Sequence, residues 1–268
     1  MRQSTPSPVF IGFSSQKGGV GKSTLAEVVS SILYYEKGIN LFVMDCDKTQ
    51  DSFFRLRDRE KECIGDSPAL TRYMRDYFNR HKRVAYRIHK ASPEEAVEKA
   101  EAVIRGNKDG GYQAVIFDFP GHAGTLELLE LSLKMDYLIS PIEADVQSLV
   151  SCLAYARSIQ DMGVSMSEAR VREMMLVWNK VDRRVRNSII EHYSRHIEEQ
   201  GLTLLPCRIY SAHRFSHELA AYGAKGVFRS TYLPPVKALR EGTGIDEFVA
   251  ELLSRINIRT NDSQDGDD

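Results

Sequence analysis

Two lysines frame the densest chemistry in the chain, Lys17-Gly18-Gly19-Val20-Gly21-Lys22-Ser23-Thr24. Small residues let successive backbone N–H groups turn inward around phosphate oxygens. A helix opening at the end of such a loop adds its partial positive charge. In that arrangement Lys22 reaches the β and γ phosphates of a nucleotide, and the Ser23 hydroxyl ligates Mg²⁺. Gly18, Gly19, Val20, Gly21, Lys22, Ser23 and Thr24 are therefore the expected cradle. The common GxxxxGK[ST] pattern is not met, because Gln16 stands at its first glycine. What is present is KGGVGK[ST], with the additional Lys17.

Carboxylates follow at matching places. Asp45-Cys46-Asp47 closes one hydrophobic run, and Val115-Ile116-Phe117-Asp118 closes another, ahead of Pro120-Gly121. Four apolar residues ending in aspartate behind a phosphate loop read as the acid that holds magnesium, directly or through water. Asp118 is assigned to the metal shell with Ser23. Asp47, just past its run, is placed to orient an attacking water, and Asp45 reads as a loop-capping neighbour.

These groups need a scaffold that gathers them at one edge, and the hydrophobic pattern supplies it. Val9–Ser14, Asn40–Asp45, Ala114–Asp118, Tyr137–Pro141 and Met174–Asn179 read as buried strands, with Leu202–Pro206 as a sixth. Helix-period segments separate them. The first, over 23–37, puts Leu25, Val28, Val29, Ile32 and Leu33 on one stripe and ends at Gly38. Strands alternating with helices imply crossover connections and an α/β, doubly wound, mostly parallel sheet. Ligands in such sheets gather beyond the carboxyl ends of the strands, where every motif above falls.

The 268 residues suit one large domain, expected over 9–257 between a flexible 1–8 and a disordered acidic tail, 258–268. Residues 51–92 form a locally basic segment within it, read as helical. Apolar content of 42% and charged content of 27% are ordinary for a globular chain. With a net charge of −1, nucleic acid binding would need a local patch. Four cysteines without CxxC spacing argue against zinc or a disulfide framework and suit a reducing cytoplasm. There is no signal-like or membrane-length apolar run, so a cytoplasmic location is expected.

In order and spacing, KGGVGKST, DCD, FDFPGHAG, SPIEAD and NKVDRR resemble the ParA/MinD ATPases of the deviant Walker A kind. The resemblance runs from about residue 8 to about 255. The opening IGFSSQKGGVGKST with DCDKTQ is most similar to ParA-like proteins of bacterial conjugative elements. It implies ATP and Mg²⁺ as cofactors, a homodimer on ATP binding, slow hydrolysis stimulated by a partner protein, and non-specific DNA binding. The expected role is DNA partitioning or conjugative transfer, on the nucleoid or a plasmid. By motif position Lys17 becomes the signature lysine, reaching across to a second subunit's nucleotide, Lys22 the Walker lysine and Asp47 the water-positioning acid. The family's DxDPQ stands here as Asp45-Cys46-Asp47-Lys48-Thr49-Gln50, without the proline and one residue longer.

Asn179-Lys180-Val181-Asp182 matches the NKxD guanine signature, in which the aspartate reads guanine. The resemblance instead implies that Asn179 serves adenine. For DNA, Arg214 stands where the family carries a DNA-contacting arginine, and Arg184 with Arg183 and Arg186 could extend that face. The basic 51–92 segment is an alternative footprint or a partner dock. MinD-like membrane attachment is not expected, because the C-terminal residues are acidic where a basic amphipathic helix would be needed. Two other readings stay open. One is a protein-positioning ATPase that does not touch DNA. The other is a small-substrate P-loop enzyme of ligase type.

Overall fold

Val, Ile and Phe crowd the runs that end up buried on both sides. A computed structural model describes residues 7–107, 111–121, 125–184 and 188–258. Its centre is a seven-stranded sheet in the order β3-β2-β4-β1-β5-β6-β7. The strands are β1 Val9–Phe13, β2 Leu41–Asp45, β3 Arg87–Lys90, β4 Ala114–Asp118, β5 Tyr137–Ile142, β6 Glu173–Val181 and β7 Thr203–Tyr210. All the pairings are parallel. Every residue of β1, β2, β4 and β5 is buried, as a parallel sheet covered on both faces demands.

Alternate residues of each strand serve opposite faces. Phe10, Val115 and Phe117 enter one core, whereas Val9, Ile11, Phe13, Ala114 and Ile116 enter the other. Helices α1 (Lys22–Tyr35) and α10 (Ile245–Arg255) cover the second face. Helices α4 (Ala96–Gly106), α5 (Leu126–Leu133), α6 (Val146–Ser165) and α7 (Ser188–Glu199) cover the first. The remaining helices are α2 (Ser52–Asp66), α3 (Pro68–His81), α8 (Leu219–Gly226) and α9 (Lys237–Arg240).

The doubly wound α/β architecture is the expected one, with two differences. The last strand runs on to Tyr210. The 51–92 segment is not wholly helical: after α2 and α3 it contributes β3, Arg-Ile-His-Lys, at the sheet edge. A four-residue edge strand carrying Arg87 and Lys90 has little apolar signal, and its charges discourage pairing with another sheet. Two of that segment's arginines are structural. Arg57 donates to Tyr86 and Thr231, and Arg83 to the carbonyls of Tyr34 and Gly38. Ile258, at the start of the expected tail, packs against the second core. Residues 1–6 and 259–268, also expected to be unstructured, lie outside the described residues, as does Arg186.

Candidate nucleotide-binding site

The loop between β1 and α1 turns through Gly19 at φ 80° and Gly21 at φ 88°, the left-handed region that glycine enters without strain. Gly21 precedes α1 and needs glycine for a second reason. A Cβ there would lie 2.6 Å from Asn179 Nδ2, which donates to the Val20 carbonyl at 2.6 Å. The loop is thus clasped from β6 by a buried amide. Lys180, itself at φ 54°, adds a bond to the Gly19 carbonyl and pairs with Glu143 at 2.8 Å.

Lys22 and Asp118 meet on the floor of the cleft. Lys22 Nζ lies 2.6 Å from Asp118 Oδ1 and 3.1 Å from Ser23 Oγ. Both side chains are enclosed, at 6% and 0% exposure. The other Asp118 oxygen is buried with no hydrogen-bond partner among the described residues. β2 and β4 are in register, so Asp45 stands beside Asp118. Asp45 Oδ2 accepts the Phe53 and Phe54 amides at 3.1 and 3.4 Å, which caps the first turn of α2. Burial pushes the Asp45 carboxyl up to about 7, and the Asp118 charge adds to the rise. Asp47 lines the cleft, and its Oδ1 accepts the Thr49 and Gln50 amides at 3.1 and 3.0 Å. The altered DCDKTQ loop is therefore folded around Asp47 itself.

Magnesium takes hard oxygen ligands and keeps several waters and phosphate oxygens of its own. The Ser23 hydroxyl and the orphaned Asp118 oxygen fit that donor set. Among the described residues no group of three or more His, Cys, Asp or Glu side chains could hold a metal ion unaided. A magnesium ion here would depend on the phosphates of its nucleotide.

The cleft around this floor measures about 440 Å³ and is lined by Ser15, Gly18, Lys22, Asp47, Glu27 and Arg229, among others. Glu27 is the unexpected member. It lies one turn beyond Ser23 on α1, 2% exposed, and burial raises its carboxyl to about 8 despite the Arg229 guanidinium 3.4 Å away. A lone glutamate in the apolar run LAEVVSSIL was the available signal. Arg229 had none. A second cleft of about 410 Å³, beside the first, is lined by Asn179, Lys180 and the 210–216 turn after β7. Asp182 is not among its lining residues. It faces Arg184, with bonds of 2.8 and 3.0 Å that hold its carboxyl down at about 2.

At the rim, Lys17 Nζ lies 3.1 Å from Asp145 Oδ2, both about half exposed. Of the arginines expected to face DNA, Arg184 is engaged by Asp182, while Arg214 sits partly exposed on the short 3₁₀ turn His213–Ser216. Arg183 packs its guanidinium over Tyr210 at 3.8 Å and donates to Gly242.

Solved structures share this architecture. A plasmid partition protein from Borrelia burgdorferi bound to AMPPNP superposes with a TM-score of 0.60 at 15% identity, covering 94% of this chain and 100% of that one. MinD complexed with Mg-ADP from Pyrococcus horikoshii gives 0.56 at 17% identity over 91% and 94% of the two chains. The MinC:MinD complex of Aquifex aeolicus gives 0.56 at 13% identity over 94% and 98%. Likeness at such identities establishes the fold. No curated protein matches the chain in sequence. The family model for the CobQ/CobB/MinD/ParA nucleotide-binding domain matches residues 11–219, which contain the loop, both carboxylate strands and the Asn179 clasp, and to that family the chain belongs.

Proposed function

We propose that the protein is a ParA-like ATPase, a switch that dimerises on ATP and acts on DNA in partitioning or conjugative transfer, with hydrolysis stimulated by a partner protein. The observation that carries this reading is the pairing of an internal lysine, Lys22, with a rim lysine, Lys17, around one cleft. Lys22 needs only to shift from Asp118 to meet the β and γ phosphates. Ser23 and Asp118 would then hold magnesium, which supplies charge neutralisation as the γ-phosphoryl group departs. Asp47 would orient the attacking water.

A second subunit explains Lys17. Its amine rests on an exposed carboxylate, from which departure costs little, and so can complete the charge balance at a neighbour's phosphates. The same edge exposes Val146 at 49%, Val150 at 60% and Leu126 at 67%, at the starts of α6 and α5. Apolar side chains exposed around a charged mouth fit a surface that another copy covers. Adenine is favoured over guanine because Asn179 lines the second cleft and Asp182 does not. DNA contact is assigned to Arg214 and, after release from Asp182, Arg184.

Solution molar mass of an Asp47→Ala variant tests the central claim: a monomer without ATP should become a dimer with it. Retention of the ATP form on non-specific DNA, weakening as salt rises, tests the DNA role. A mass indifferent to ATP would sink the switch. An ATP dimer that ignores DNA would leave a protein-positioning ATPase.

A further inference from the structure

The two clefts share three lining residues, Gly21, Thr24 and Arg229. A nucleotide with its terminal phosphates in the first cleft and its base in the second must pass between them at that point. The part of a nucleoside diphosphate or triphosphate found there is the α-phosphate with its sugar. Gly21 and Thr24 belong to the phosphate loop. Arg229 comes from the far side of the chain, after α8.

Its guanidinium meets side chains in three directions, with hydrogen bonds in two of them. Nη2 donates to Glu218, Nε faces Glu27 at 3.4 Å, and Nη1 reaches Thr24 Oγ1 at 3.4 Å. Glu218 is gripped in turn by a two-pronged pair with Arg59 of α2, at 3.0 and 2.9 Å. The backbone is fixed as well, with the Phe228 and Arg229 amides donating to the His217 carbonyl at 2.8 and 3.0 Å. Arg229 nevertheless retains 23% side-chain exposure, opening on the two clefts. An arginine serving only to latch α1 to the 227–233 segment would not need to line both. Neighbouring bonds already make that latch: the Ser31 hydroxyl donates to the Ser230 carbonyl and Tyr35 Oη to the Thr231 carbonyl.

We infer that Arg229 is a nucleotide-contacting residue, whose guanidinium, oriented by Glu27 and Glu218, binds the α-phosphate of a nucleoside di- or triphosphate as it crosses from one cleft to the other. The inference rests on the nucleotide reading above and adds a cation from outside the loop motif. Guanidinium matches phosphate oxygens with two donors, where lysine offers only a point charge.

Titration of the full-length protein with ADP and with AMP tests it. AMP brings its only phosphate to the crossing and leaves the rest of the first cleft empty. Loss of a charge-assisted contact should weaken ADP binding by about tenfold or more in Arg229→Ala, and AMP binding by the same factor. Arg229→Lys keeps the charge and most of the packing. It should lose about threefold for ADP, as expected when one bond of a bidentate pair goes, and it carries the test alone if the alanine variant does not fold. Unchanged ADP affinity overturns the inference. So does a fall for ADP with AMP binding unchanged, which would mean that Arg229 merely supports the loop. Wild-type protein that binds neither ligand would overturn the nucleotide reading instead.

Discussion

The floor and the rim of the cleft each hold a lysine–carboxylate pair, in opposite physical surroundings. Lys22–Asp118 is almost wholly enclosed at 2.6 Å, whereas Lys17–Asp145 stands about half in solvent at 3.1 Å. Two charges withdrawn from water must compensate each other, and removing either one leaves the other stranded. Two charges in solvent gain little from meeting and lose little on parting. The floor pair is therefore part of the fold as well as of the cleft, and the rim pair can part at little cost. Residues five apart in one loop thus stand in opposite surroundings because one end of the loop is buried and the other is not, and the trans role proposed for Lys17 depends on that difference.

The largest effect that would break this comparison comes from the floor. Lys22→Ala should remove nucleotide binding and also destabilise the protein by about 3–5 kcal/mol, because Asp118 then stays buried without a counter-charge. Urea denaturation measures the loss. Lys22→Met combined with Asp118→Asn should recover most of the stability and none of the binding. If the single variant is as stable as wild type, the floor pair is not structural.

Next in size is the pH response of the carboxyls packed about the floor. Glu27 titrates at about 8 in the folded protein against an ordinary 4.5. Between those values the folded chain holds a proton that the unfolded chain has released. Stability should therefore decline as pH rises through this window, reaching its full loss above about 8. Asp45, raised to about 7, contributes in the same direction. Glu27→Gln should flatten the decline by an amount of order 3 kcal/mol between pH 5 and 8.5. Thermal melts across that range are the measurement. A decline as steep in the variant as in wild type would assign the proton elsewhere.

What was legible in advance follows the same division between buried and exposed. The central strands announce themselves because a parallel sheet covered on both faces requires unbroken apolar runs, and the carboxylates ending them take their meaning from the phosphate loop ahead of them. β3 is invisible by the same logic: at the edge, short and half exposed, it can be Arg-Ile-His-Lys. The phosphate loop was readable because glycine and lysine must occur there at fixed spacing. Its clasp by Lys180 was not, because NKVD reads equally as a base-recognition signature, and the roles of Asn179 and Asp182 diverge only once the loop and Arg184 are seen beside them. Glu27, Arg229, Glu218 and Arg59 come from four separate stretches, and no local pattern joins them. Their partnership is a product of tertiary packing.

The smallest expected effect is the sharpest test of the rim. Lys17→Ala should change unfolding stability by no more than about 0.5 kcal/mol, the ordinary value of an exposed pair, and so should Asp145→Asn. Their consequences for turnover should nevertheless be opposite. In the proposed dimer, loss of Lys17 takes an amine from the transition-state charge at the partner's nucleotide, so hydrolysis should fall by roughly 10²–10³-fold, the scale set by removing one donor from developing charge. Without the Asp145 carboxylate the same amine has less to leave, so hydrolysis should hold or rise slightly. Single-turnover hydrolysis over a range of protein concentrations separates the two, because an effect in trans vanishes on dilution to monomer and an effect in cis does not. A Lys17→Ala defect that persists undiminished in the monomer would place this amine on its own subunit's phosphates, and the rim would then belong with the floor.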